Sequence, residues 1–334
     1  MSKRLALVTG ATGCLGQHLV GKLLDEGYLV RASGRNHAIG ACLHGGATEF
    51  VAGDLQDTRL VRQLCSGVDV VFHCAALSSP WGRYRDFYAA NVTGTEHIIH
   101  GCQRHRVSRL VHVSTPSLYF AYNSRLNVCE NDPLPAKQVN FYTQTKLLAE
   151  QAIDRAYYTG LPVITIRPRA IFGPGDTTIL PRLITRLQQG RLRLIGDGSN
   201  LTDLTYIDNV VDALLLCADS STLGHKYNIT NGQPVYLWNM IKRLCTELNL
   251  TYPQQKIPFR VAFMLAWGME IVSRTLLSYK EPLLTRYTVS VLAKSATLDI
   301  KAARRELGYA PRVSVEEGVQ RFVRWWKEQE KEEQ

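Results

Sequence analysis

No two cysteines in this sequence of 334 residues are spaced as CxxC, which excludes the zinc ribbons and dithiol redox motifs built on that pair. Most of the eight cysteines sit in apolar stretches such as Val71-Phe72-His73-Cys74 and Leu215-Leu216-Cys217-Ala218. A free thiol there is a small buried hydrophobe in a reducing compartment, so no disulfide framework is expected. Long hydrophobic runs are missing too. The most membrane-like stretch, residues 261–269, is bounded by Arg260 and Glu270 and falls well short of the roughly 20 apolar residues of a bilayer span. Met1-Ser2-Lys3-Arg4 leads straight into a strand pattern without the features of a secretory signal, and the expectation is a cytoplasmic protein. Acidic residues are few beside basic ones, 29 against 39, for a formal net charge of +10. That balance suits an anionic ligand, a nucleic acid or an anionic membrane surface. The cations are scattered, as in Arg304-Arg305 and the series Arg182, Arg186, Arg191, Arg193, and no basic stripe with interleaved aromatics marks a nucleic-acid binder. His97 and His100 share a helical face but have no acidic or cysteine partner in register, so they read as surface residues and no metal site is expected. Neither repeats nor low-complexity segments occur. With 45% apolar and 20% charged residues, the chain reads as a packed globular protein.

What is present is alternation. Short β-branched runs at residues 5–9, 29–32, 50–51, 68–72, 110–113 and 163–166 are each separated by room for a helix, which predicts an α/β fold with a doubly wound parallel sheet. Past Pro168 the pattern loosens into Gly173-Pro174-Gly175, Gly196-Asp197-Gly198 and Asn231-Gly232. The expected organisation is a core over residues 1–170, to which residues of about 205–230 return, and a smaller C-terminal substrate lobe over 171–334. That lobe holds helical patterns at 210–218 and 238–248 and the apolar stretch 259–277.

Several patterns carry chemistry. Thr9-Gly10-Ala11-Thr12-Gly13-Cys14-Leu15-Gly16 follows the first strand and opens a helix, the setting in which glycines admit a dinucleotide's pyrophosphate to backbone N–H groups. The second strand ends Ala32-Ser33-Gly34-Arg35, with no carboxylate for a ribose 2′-hydroxyl and a guanidinium suited to a 2′-phosphate. NADP(H) is therefore favoured, with NAD(H) the alternative. After the third strand, Asp54 suits either an adenine amino group or a turn. Tyr142 and Lys146, four residues apart on one helical face, pair an acid–base phenol with an ammonium that is expected to lower its pKa. Tyr252 and Lys256 share this spacing, but Pro253 and Pro258 argue against a helix there. At the end of the fifth strand, either Ser114 or Thr115 offers a hydroxyl to the reacting oxygen.

With those residues in place, the chain resembles an extended short-chain dehydrogenase/reductase of the 3β-hydroxysteroid dehydrogenase and epimerase type over nearly its whole length. Besides the glycine turn and the Tyr142/Lys146 pair, the likeness rests on Phe72-His73-Cys74-Ala75-Ala76, Asn91-Val92-Thr93-Gly94-Thr95 and the run from Arg167-Pro168-Arg169 to Gly173-Pro174-Gly175-Asp176. It implies a Rossmann core, Thr115 as the third catalytic hydroxyl, Asp54 and Leu55 at adenine, Ala75 and Ala76 along the cofactor, Pro168 and Ile171 near the nicotinamide, and a homodimer. Within the family, Ser79-Pro80-Trp81-Gly82, Ser114-Thr115-Pro116-Ser117, Thr205-Tyr206-Ile207-Asp208-Asn209 and Glu281-Pro282-Leu283-Leu284-Thr285-Arg286 are similar to bacterial reductases of 2-alkyl-3-oxo acids. The implied reaction is NADPH-dependent reduction of a 2-alkyl-3-oxo fatty acid to the 3-hydroxy acid. A 3β-hydroxysteroid or sterol dehydrogenase and a nucleotide-sugar epimerase or dehydratase are the alternatives. Arg169 and Arg182 are candidates for a substrate carboxylate, with structural ion pairing the commoner use. Residues 259–277 suit a core helix pair, a wall around an alkyl chain or a shallow membrane contact.

Overall fold

The computed structural model describes residues 3–332. Seven short segments form one sheet: β1 (Leu5–Thr9), β2 (Leu29–Gly34), β3 (Thr48–Ala52), β4 (Val70–His73), β5 (Arg109–Val113), β6 (Val163–Pro168) and β7 (Lys226–Ile229). Their spatial order is β7-β6-β5-β4-β1-β2-β3, and every pairing is parallel. Helices α1 (Cys14–Asp25), α2 (Gly94–His105), α3 (Phe141–Tyr158) and α4 (Ile207–Asp219) cover it.

Successive strand residues point to opposite faces, and each face here has its own cover. Ala6 and Val8 of β1 pack with Leu19 and Leu23 of α1 and Val210 and Leu214 of α4. Leu7 packs with Ile98 and Cys102 of α2 and Ile153 of α3. Burial on both faces is why the strands read as continuous apolar runs; all four residues of β4 are buried. The chain order reverses between β1 and β4, and sheets of this kind bind ligands outside the carboxyl ends of the strands at such a switch point.

Beyond β6 the chain leaves the sheet. Ile171–Phe172 pairs with Thr205–Tyr206, and Leu201–Thr202 lies between Val235–Tyr236 and Ala296–Leu298, before and after β7 rejoins the sheet edge. A separate apolar cluster gathers Ile184, Leu204, Trp238, Ile241 and Phe322.

Two elements depart from expectation. Residues 88–93 widen into a π-helical stretch ahead of α2, a local irregularity frequent at functional sites. Residues 259–277 do not make a core helix pair: they give one helix, α5 (Phe259–Thr275), of which only Ala262, Ala266, Glu270 and Ser273 are buried. Helix α6 (Arg286–Ala293) backs it, with the Arg286 guanidinium 2.8 Å from the Glu270 carboxylate. Among the described residues no helix is long and apolar enough to cross a membrane.

Candidate active site

Close packing dictates the glycines after β1. Gly10 has φ +69°, and a Cβ there would lie 2.8 Å from the backbone of Ala75; at Gly16 it would lie 2.2 Å from the carbonyl oxygen of Gly10. Gly13 caps α1 with no side chain bonded to the first N–H groups of the helix, so the donors of Cys14, Leu15 and Gly16 and the positive end of the helix dipole are offered to an anion. A pyrophosphate fits this cradle. Beside it, Thr12 occupies the space that the missing side chain of Gly34 leaves at the end of β2. Arg35 is exposed, its guanidinium 3.9 Å from the Asp54 carboxylate. Leu55 packs against Gly94, and its carbonyl accepts a hydrogen bond from His97 Nδ1 at 2.7 Å, so His97 is a half-buried support of this loop and not the surface residue expected. Ala75 donates its N–H to Thr9 Oγ1 at 3.3 Å, and Ala76 follows it out to solvent. Past β6, Ala170 adopts φ +44°, uncommon for a residue with a Cβ, and turns the chain between Pro168 and Ile171. The Cys14 thiol reaches the Pro174 carbonyl at 3.5 Å, and burial pushes its pKa up to about 12, so it is no nucleophile.

Helix α3 starts at Asn140, whose side chain accepts the Thr143 N–H at 2.9 Å in a reciprocal cap. From there Tyr142, Lys146 and Glu150 recur every four residues along one face. Tyr142 is half-buried, and its phenol faces the hydroxyls of Thr115 and Ser78. Thr115 Oγ1 also accepts the Ser117 N–H at 3.1 Å, while the Ser114 hydroxyl is buried without a protein partner. Of the two hydroxyls left open by the sequence, Thr115 is the one that meets the phenol. Lys146 donates from Nζ to the Val113 carbonyl at the end of β5, 2.7 Å away.

The electrostatics correct one expectation. Lys146 was expected to lower the pKa of Tyr142, yet burial, the largest influence, raises it, and the contacts with Thr115 and Ser78 only partly offset the rise. Burial also lowers Lys146 to about 8, with Glu150 pulling the other way. The phenol is therefore a proton donor at neutral pH, beside an ammonium engaged by Val113.

Several supporting residues escape sequence reasoning. Asn91, in the π-helical stretch, accepts the Leu77 N–H at 2.7 Å and donates to the Leu77 carbonyl at 3.1 Å and to Thr145 Oγ1 at 3.1 Å, fixing the loop of Ser78 against α3. His73 bridges Thr9 Oγ1 (2.8 Å) and Thr95 Oγ1 (2.9 Å), while Thr95 donates to the Asn91 carbonyl at 2.6 Å. That pattern assigns the proton to Nε2, and burial followed by the Lys146 charge lowers the His73 pKa to about 3, so the ring stays neutral. Glu150 takes a two-point ion pair from Arg167, Nε at 2.8 Å and a terminal nitrogen at 2.5 Å, with both side chains buried. The available signals were an acid continuing the Tyr142/Lys146 spacing and an arginine inside an apolar strand. Of the carboxylate candidates, Arg182 pairs with Glu281 at 3.3 Å, whereas Arg169 is buried with its Nε unpartnered.

Residues 6–230 match the NAD dependent epimerase/dehydratase family. A 2-alkyl-3-oxoalkanoate reductase of Stenotrophomonas maltophilia (strain K279a) is 36% identical over 324 residues, covering 95% of this chain and 97% of that protein. The sterol-4-alpha-carboxylate 3-dehydrogenase, decarboxylating, of Mus musculus is 32% identical over 331 residues, covering 95% of this chain and 89% of that protein. Among solved structures, a dTDP-glucose 4,6-dehydratase of Streptomyces venezuelae with NAD bound superposes with a TM-score of 0.77 at 26% identity, covering 97% of each chain.

Proposed function

This chain belongs to the NAD dependent epimerase/dehydratase family and is an NAD(P)-dependent oxidoreductase of the extended short-chain type, and from that premise we propose that it reduces a 2-alkyl-3-oxo fatty acid to the 3-hydroxy acid with NADPH. The observation that carries the reading is the half-buried Tyr142 phenol facing Thr115, on the helix whose Lys146 reaches the end of β5. The names of the two relatives share a feature: in each substrate, the carbon beside the reacting one bears a carboxylate. When bound, the dinucleotide supplies the hydride.

The Thr115 hydroxyl holds the substrate oxygen while Tyr142 donates the phenolic proton to it, and the Lys146 ammonium stabilises the phenolate left behind. Gly10, Thr12, Gly13, Cys14, Leu15 and Gly16 would hold the pyrophosphate, Asp54 and Leu55 the adenine, and Ala75, Ala76, Pro168 and Ile171 the nicotinamide end, with Lys146 orienting the ribose. Exposed Arg35 supports the NADP(H) preference, since its guanidinium is free to turn from Asp54 to a 2′-phosphate. In this reading residues 1–170 together with about 205–230 hold the cofactor, the remainder of 171–334 encloses the apolar part of the substrate, and two copies pair as a homodimer.

The test is oxidation of a racemic long-chain 2-alkyl-3-hydroxy acid by the purified protein, with NADP⁺ and NAD⁺ in parallel and a 3β-hydroxysteroid as comparator. Turnover of the acid, at least tenfold faster with NADP⁺, is expected. Turnover of the steroid alone, or NAD⁺ carried through purification as in a nucleotide-sugar epimerase, overturns the substrate assignment.

A further inference from the structure

Helix α5 is apolar nearly all round, yet it buries only the narrow stripe of Ala262, Ala266, Glu270 and Ser273 against Ile195, Val289 and their neighbours. A helix hydrophobic on every side belongs inside a core or a membrane. Here the opposite face stands in solvent: Val261, Met264, Leu265, Trp267, Ile271 and Val272 are each at least 41% exposed, and Leu276, in the turn that follows, is 76% exposed. Side chains at this spacing form one continuous patch along the helix, of the kind that marks an interaction surface.

The charges around the patch have one sign. Arg260, Arg274 and Lys280 are exposed. The one acid within α5, Glu270, points inward and is neutralised by Arg286, and Glu281 is paired with Arg182. We propose that α5 is an interfacial docking helix that lies in the plane of an anionic lipid bilayer, its apolar face among the acyl chains and its cations at the headgroups. A second copy of this chain meeting the same face would bring the Arg260, Arg274 and Lys280 cations of the two copies against one another, a repulsion that an anionic lipid surface turns into attraction.

The helix is firmly mounted for this task. The two-point Glu270–Arg286 pair ties it to α6, and the Trp81 indole N–H donates to Ser273 Oγ at 2.8 Å, with the Arg274 guanidinium 4.9 Å over the Trp81 ring. Trp81 closes the loop that carries Ser78 to the Tyr142 phenol, so the docked face and the candidate site share one wall. Delivery of a lipid-like substrate along that wall rests on the reductase reading; docking itself does not.

Flotation of the purified chain with phosphatidylcholine vesicles, with and without phosphatidylglycerol, tests the proposal in the absence of cofactor and substrate. The chain is expected to float with the phosphatidylglycerol vesicles, less so at high salt, and the floated fraction is expected to fall about tenfold or more in Met264→Glu/Leu265→Glu. Arg260→Glu, which leaves the apolar face intact, should weaken binding to the anionic vesicles alone. Unchanged thermal melting of the variants confirms that the loss belongs to the surface. Failure of the native chain to float, equal flotation of the double variant, or conversion of a dimer to a monomer by that variant in light scattering overturns the proposal, the last by identifying a second copy as the occupant. Loss of reductase activity with vesicle binding intact would instead overturn the catalytic reading and leave this one standing.

Discussion

A phenol removed from water holds its proton, and this sets the pH behaviour of Tyr142. Because burial raises its pKa, the group is protonated across the neutral range, ready to act as the acid of a reduction, whereas the reverse oxidation needs the scarce phenolate. The oxidation rate is therefore expected to climb about tenfold per unit from about pH 6 until Lys146 loses its proton at about 8, with reduction level over the same range. Initial rates in both directions across that range check this; an oxidation rate already on its plateau at neutral pH contradicts it. Tyr142 and Lys146 were legible in the sequence because one helical face joins them. Ser78 was not, and Asn91 and His73 were visible only as members of the family strings without their roles, because their partners arrive from other elements: Thr145 reaches Asn91 across 54 residues, and Thr9 reaches His73 across 64. The pKa direction was missed for the same reason, since burial is a property of the fold and not of the spacing.

At the scale of elements, α3 and β6 are held together by a buried charge pair. Among the described residues neither side chain has another ion pair: apart from Glu150, the Arg167 guanidinium donates only to neutral groups, the Tyr119 hydroxyl and the Glu130 carbonyl. Truncating one member strands the other charge, at a cost of about 3–5 kcal/mol. Arg167→Leu is expected to destabilise the protein by that amount in equilibrium denaturant unfolding, and Glu150→Leu/Arg167→Leu to recover part of it; a loss under about 1 kcal/mol for the single variant contradicts the reading. The strands were legible because each is short, apolar and bounded by turn residues, and β2 merely runs on to Gly34. For helix α5 the sequence left a core helix pair, a substrate wall and a membrane contact open, and the structure removes the first: composition shows that a segment is apolar, but only its neighbours decide how much of it they cover. The π-helical stretch of residues 88–93 leaves no periodicity of its own, and its role appears only through the bonds of Asn91.

The whole molecule brings a glycine cradle, a half-buried phenol and an apolar lobe to the carboxyl end of one sheet. The doubly wound sheet was legible in the sequence, but its strand order was not, and no local pattern announced that Lys226–Ile229 would supply the seventh strand. The central claim is that this assembly transfers hydride to or from a nicotinamide with Tyr142 as the acid–base group. The most direct measurement compares the native chain with Tyr142→Phe for NADPH binding by fluorescence titration and for single-turnover oxidation with NADP⁺. Unchanged cofactor affinity is expected, with turnover reduced by a factor of about 10²–10⁴, the usual contribution of a positioned general acid or base. A variant that binds the cofactor and retains more than a few per cent of the native rate would contradict it.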